Sequence, residues 1–221
     1  MGKQAGIGDR LYINGFDLSG DVGSIDTLAT PRDALDVTGI NKSAHERILG
    51  LSDVNIGFSA FYNDAGGRTH PALRTLQTTG RPVLYARGST KGAACFMVRG
   101  KQVNYDPTRG ADGSLLFKVD INGAEGNPGE WGQLICNALS TMADSTQLAV
   151  FAGTAKTSKG AACMLHLTAK SSTGSLTVRI EHSSGTTEVF ANLVAFTAIV
   201  SGATRAAERK TVSGVVKRYL R

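Results

Sequence analysis

Four histidines, three cysteines and a few glycine-rich or acidic loops are the parts of this chain whose residue types could do chemistry. His45 falls in a polar loop, His70 opens a stretch of helical character, His166 alternates outward from Leu165 and Leu167, and His182 ends a strand-like run. None of them has metal-ligand spacing. His182, Ser183 and Ser184 set a base beside two hydroxyls, yet adjacent residues on an extended chain point to opposite faces, and no acid is placed to orient the imidazole. Cys95, Cys136 and Cys163 are odd in number and widely spaced, among apolar or small neighbours in AACFM and AACML. They read as buried free thiols. GKQAGIG and GSTKG do not match the GxxxxGK[ST] phosphate loop and join no strand to a helix, so they read as turns. DPTRGADGS offers Asp106 and Asp112 without the ligand order of a calcium loop, which makes it a polar hairpin turn. Asn41-Lys42-Ser43 matches a glycosylation sequon, which has no use without export. The sequence therefore predicts no catalytic residues, no cofactor-binding residues and no metal ligands: a chain that is not an enzyme.

The elements that would have positioned such groups are mostly strands. Twenty-seven glycines and many short β-branched runs argue for an antiparallel all-β architecture. RLYING, ALDVTGI, VNIGFSAFY, RPVLYAR, ACFMVRG and LLFKVDI are candidate strands in the first half; GAACMLHLTAK, SLTVRIEHS, EVFANLVAFTAIV and TVSGVVKRYLR follow in the second. SSGTTE reads as a hairpin turn. Glu46 to Asp64, ERILGLSDVNIGFSAFYND, reads as a turn followed by one long strand. By the two-residue period Val54, Ile56, Phe58, Ala60 and Tyr62 share its buried face, with Asn55, Gly57, Ser59 and Asn63 away from it. One helix is predicted, over THPALRTLQTTG, with Thr69 as N-cap, Pro71 in the first turn, Leu73 and Leu76 inward, and Gly80 as terminator. WGQLICNALSTMA fits either period, through Trp131, Leu134, Ile135, Leu139 and Met142, and is read as strand.

GNPGEWG packs three glycines and a proline into seven residues, a turn or linker that places a domain boundary near Asn127. The two expected domains are 1–127 and 128–221. Residues 1–127 hold 14 Lys and Arg against 13 Asp and Glu, and residues 128–221 hold 10 against 5, so the basic excess falls in the second domain. Its cations are scattered or gathered in RAAERK and VVKRYLR without interleaved aromatics, which reads as a solvated or subunit-facing surface. No apolar run approaches the roughly 20 residues that cross a bilayer, so membrane insertion is not expected. MGKQAGIGDRLYING has no apolar h-region, and the chain is expected to fold where it is made, in the host cytoplasm if it is viral.

YINGFDLSGDVGSIDT and then RDALDVTGINKSAHERILGLSDVNIGFSAFYND, with DVT at Asp36 to Thr38 and RILGLSD at Arg47 to Asp53, resemble the start of tailed-bacteriophage tail tube proteins. The likeness covers roughly residues 10 to 127. It implies a β-sandwich with a flanking helix and a long loop, closing side by side into hexameric rings that stack into a tube. Thr69 to Thr79 would supply the helix, and the loop before the Glu46 to Asp64 strand would reach a neighbouring subunit. Implied partners are further copies of the chain, tape measure and tail terminator proteins, and DNA passing through the lumen without specific binding; the implied location is the virion. The second domain, on SLTVRIEHS and the final RYLR, resembles galactose-binding-like jelly rolls appended to phage virion proteins. Sugar binding there would rest on Trp131, the only tryptophan, and structural decoration is the favoured role. The rival readings are a capsid decoration or neck protein and a carbohydrate-binding host-attachment module.

Overall fold

The computed structural model of the chain describes residues 5–137, 151–152, 156–171, 173–186 and 189–221. Strands β1 (Arg10–Ile13), β2 (Phe16–Asp17), β3 (Val22–Ala29), β4 (Arg32–Asp36), β5 (Arg47–Ser52) and β6 (Asn55–Phe61) precede a short helix, α1 (Thr69–Leu73), the one α-helix among the described residues. Then come β7 (Arg81–Ala86), β8 (Ala94–Gln102), β9 (Asp106–Arg109), β10 (Leu115–Gly123), β11 (Glu130–Gln133), β12 (Phe151–Ala152) and β13 (Ala161–Leu167). β14 (Arg179–Ser183), β15 (Ala191–Ala195), β16 (Ala206–Val212) and β17 (Tyr219–Leu220) complete the described elements. The all-β class with one short helix, expected from the glycine and β-branched content, is what the chain adopts. No described helix is long and apolar enough to cross a membrane.

The chain divides into two compact units, and it passes between them at residues 20/21, 80/81, 97/98 and 129/130. The last crossing lies beside the GNPGEWG turn. The first unit joins residues 1–20 and 81–97 to residues 130–221; the second comprises residues 21–80 and 98–129.

In the first unit β2, β1, β7 and the start of β8 lie side by side, with β11 antiparallel to β8. β1 and β2 are joined by Asn14 and Gly15, both at positive φ (50° and 81°), the two-residue turn whose twist matches that of the flanking strands. Tyr12, Leu84, Ala86, Cys95 and Met97 form a buried cluster on this layer, and Leu134, Ala162 and Met164 pack against it. β13 pairs with β16 along seven residues, and its alternate side chains face two ways. Ala162 and Met164 meet the first cluster, while Ala161, Cys163 and Leu165 join a second with Ile180, Val194 and Phe196. β14, β15, β17 and β12 form the layer behind it.

In the second unit the end of β8, β10, β6 and β3 are neighbours, and β9 folds back on β10. Ile56, Phe58 and Ala60 stand opposite Ile121, Val119 and Phe117, and all six are buried. That half of the predicted β6 face is correct, as is buried Val54, but Tyr62 lies past the strand end and is partly exposed.

Glu46 to Asp64 is not one long strand. Asp53 and Val54 interrupt it: the Asp53 N–H bonds the Pro31 carbonyl and the Val54 N–H bonds the Asp53 carboxylate, so β5 pairs only with β4 while β6 enters the other sheet. The helix is also shorter than its pattern. Thr69 is its first residue, not its cap; the Thr69 hydroxyl donates to the Phe61 carbonyl at 2.9 Å, and Arg68 occupies the cap position. Leu73 is buried as expected, but the helix ends there and Leu76 is exposed. Gln102 Nε2 accounts for part of this stop, because it donates to the Leu73 carbonyl at 2.8 Å. Of WGQLICNALSTMA, Trp131 to Gln133 is strand, and Leu139 and Met142 lie outside the described residues. Thr187 and Glu188 of the SSGTTE turn lie outside them too.

Candidate interaction site

No residue of the β4–β5 hairpin is buried. Leu35 stands directly across from Ile48, and Ala34 across from Leu49, which puts apolar side chains on both faces of a two-stranded ribbon. Leu35, Ile48 and Leu49 are all more than half exposed, Leu51 is 92% exposed in the bulge on β5, and Ile40 in the connecting loop is fully exposed. An isolated pair of strands is marginal in water, and a cluster of exposed large apolar residues marks an interaction surface.

The loop from residue 37 to 46 is held by one carboxylate. Asp36 accepts from the Thr38 amide and hydroxyl through Oδ1 and faces His45 Nδ1 at 2.8 Å through Oδ2. The Thr38 hydroxyl in turn accepts from the Glu46 N–H at 2.8 Å, and the Val37 N–H reaches the Glu46 carbonyl at 2.9 Å. The Thr38 bonds, with a smaller part from His45, hold the Asp36 carboxyl below the usual range. Lys42 and Glu46 add an exposed ion pair at 2.9 Å, worth little by itself. The loop therefore has local structure without an apolar core beneath it. The sequon Asn41 lies in this exposed loop.

The other residues singled out for chemistry are dispersed. His45 belongs to the loop just described. His70 Nδ1 lies 2.7 Å from the Tyr105 hydroxyl, with its ring stacked at a tilt on Tyr62. His166 Nδ1 accepts the Gly15 N–H at 3.3 Å, so the neutral ring carries its proton on Nε2, which faces Met164 Sδ at 3.3 Å. Desolvation drives the His166 pKa down to about 3. His182 Nδ1 accepts the Lys217 N–H, whereas the Ser183 Oγ accepts the Gly185 N–H, so base and hydroxyl are turned to different partners. Cys95 and Cys163 are free, and burial pushes both thiols up to about 11; Cys136, also free, is raised for the same reason. Asp106 accepts from Asn104, and Asp112 caps the Gly110 to Ser114 turn through the Ser114 amide and hydroxyl. Among the described residues no group of three His, Cys, Asp or Glu could hold a metal ion. Trp131 is 59% exposed on β11 with its ring tilted against Phe96 at 5.3 Å.

Strand periodicity alone does not mark the hairpin as a separate element. The signal was present in Pro31 and Asp53, one strand breaker at each end of its base, and in DVT, where an Asp two residues before a Thr favours a local side-chain turn.

These features define an all-β protein with an exposed apolar hairpin. No protein-family model matches the sequence, and no curated protein matches it. Among solved structures, the chain is similar to the phage SPP1 Dit (gp 19.1) protein, described as a paradigm of the hub adsorption apparatus in phages that infect Gram-positive hosts. The likeness covers 96% of this chain and 98% of that one at 10% identity, with a TM-score of 0.36, too low to establish a shared fold.

Proposed function

We propose that the chain is a non-enzymatic structural subunit of a bacteriophage tail, and in particular a tail tube subunit that assembles with copies of itself into stacked hexameric rings around a channel for the genome. The observation that carries the reading is the β4–β5 hairpin, exposed and apolar on both faces, lying within the stretch whose sequence resembles tail tube proteins. A neighbouring copy covering Leu35, Ile48 and Leu49 would remove apolar surface from water and give the ribbon the packing it lacks within its own unit. Free strand edges on β3 and on the hairpin would be satisfied in the same step. Tape measure and terminator proteins would meet the ends of such a tube, and the virion would be its location.

Negative-stain microscopy of the purified chain over a concentration series tests the proposal. Rings or tubes are expected, and the double change Leu35→Ser, Ile48→Ser should abolish them while leaving the melting midpoint within about 2 °C, because these side chains add little to the subunit's own core. A wild-type chain that stays monomeric at all concentrations and salts would overturn it.

A further inference from the structure

The two units divide the charge of the chain unevenly. The first contains 15 Lys and Arg against 7 Asp and Glu, the second 9 against 11, so the whole cationic excess belongs to the first unit. Part of it is gathered where residues 213–217 return along residues 156–160. Thr157 and Val216 form an antiparallel bridge with hydrogen bonds of 3.0 and 2.8 Å in the two directions. Lys156 and Lys217 are the residues flanking that bridge on one side, so the antiparallel register brings their backbones close, and like charges in such neighbouring positions repel. Lys159 follows in the turn, its N–H on Thr157 Oγ1 at 3.1 Å, and the Gly160 N–H closes on the Gly214 carbonyl at 2.9 Å. His182 Nδ1 accepts the Lys217 N–H at 3.3 Å, leaving the ring proton on Nε2. Burial and then the Lys217 charge push the His182 pKa down.

Six cations of this unit have carboxylates: Arg10 with Asp17, Arg87 with Asp9, Arg209 with Glu130, Lys210 with Glu208, and Arg179 and Arg221 with Glu181; Arg205 instead lies over the Phe16 ring and Lys170 bonds the Gly174 and Val200 carbonyls. Among the described residues no carboxylate oxygen lies within 4.0 Å of the Lys156, Lys159 or Lys217 ammonium. An anion between the crossed lysines would relieve their repulsion, and lysine ammoniums serve phosphate as mobile point charges. We propose that Lys156, Lys159 and Lys217, with the His182 Nε2–H, form a binding site for a phosphate group, either free or within a phosphodiester chain. The site is independent of the hairpin and of the assembly reading.

The test is binding of a fluorescent 12-nucleotide oligothymidylate to the full chain at low salt, with inorganic phosphate as competitor. The double variant Lys156→Ser, Lys217→Ser should lose at least tenfold in affinity and reduce the slope of log affinity against log salt by about 1.4, roughly 0.7 per lysine on a single strand. Lys101→Ser, in the other unit, should change neither by more than twofold. In anion-free buffer the double variant should melt at or above the wild type, because a repulsion has been removed; a misfolded variant would melt lower. Lys156→Glu, which supplies an internal counter-charge, should also raise the melting midpoint and weaken binding. Phosphate displacing the oligomer places both at one site, and phosphate binding with the same lysine dependence but no oligomer binding assigns the free anion. Binding unchanged in the double variant, or lost equally in Lys101→Ser, overturns the proposal.

Discussion

His166 shows a residue doing structural work that its surroundings in sequence suggested only in part. Alternation with Leu165 and Leu167 gave its position on a strand but turned it outward, whereas its ring lies 5.9 Å from that of Tyr12 and its partner Gly15 is 151 residues away. Its neutral imidazole accepts the Gly15 N–H at the tip of the β1–β2 turn, and that turn is closely seated: a Cβ on Gly15 would lie 3.0 Å from the Leu167 carbonyl oxygen and 3.1 Å from that of Ala206. In the unfolded chain the group titrates near 6.5, and in the folded one at about 3. Between those values the unfolded chain holds more protons. The stability conferred by the neutral ring is thus fully present above about pH 6.5 and is lost as the pH falls toward 3, by at most about 1.4 kcal/mol per pH unit for the one proton. His166→Gln keeps an acceptor and a donor but does not titrate. Urea midpoints for the two proteins between pH 7 and 4.5 should show the variant weaker at pH 7 and the gap closing as the pH falls; a constant gap would mean that His166 takes up its proton over the same pH range in the fold as in the unfolded chain.

At the scale of elements, what the two-residue period could decide, it decided well. Ile56, Phe58 and Ala60 were legible as a buried face because each sits two residues from the next with polar or small residues between, and their partners Phe117, Val119 and Ile121 lie in a run of the same kind. Phe58 is fully buried at the centre of that face. Phe58→Ala should cost about 3 to 5 kcal/mol, read as a shift of the denaturant midpoint at unchanged slope; a smaller cost would show that the surrounding chains close over the space. What failed were the ends of elements. The helix pattern ran on to Gly80, but side-chain bonds from Thr69 to the Phe61 carbonyl and from Gln102 to the Leu73 carbonyl bracket a single turn, and the second comes from 29 residues further along the chain. The strand pattern likewise ran through Asp53, whose turn depends on pairing with Pro31. β3 was not anticipated either, since VGSIDTLA alternates poorly and two bulges let its residues slip against β6. The candidate site was the least legible part. Exposure of Leu35, Ile48 and Leu49 is a property of what does not pack on them, and sequence pattern marks them as core.

For the whole molecule, the order of residues along the chain and their grouping in space part company. Composition along the sequence pointed to a turn near Asn127 and to a basic second half, and both are present. Yet the layers around residues 130–221 include β1, β2, β7 and the start of β8, supplied from before residue 98. Leu134, Ala162 and Met164 pack on Tyr12, Leu84, Ala86, Cys95 and Met97, and His166 reaches back to Gly15. A fragment of residues 128–221 alone would expose that face of β13 to water and leave the imidazole without its donor, while keeping the second cluster around Cys163, Ile180 and Val194. Loss of several such apolar contacts removes a few kcal/mol, a large part of the stability of a small domain. The isolated fragment should therefore melt without a sharp cooperative transition, and adding a separately produced fragment of residues 1–127 should restore one. Calorimetry of each fragment and of the mixture measures this. A sharp transition in residues 128–221 alone, unaffected by the other fragment, would show that the layers behind β13 suffice and that the packing on β1, β7 and β8 adds little to the fold.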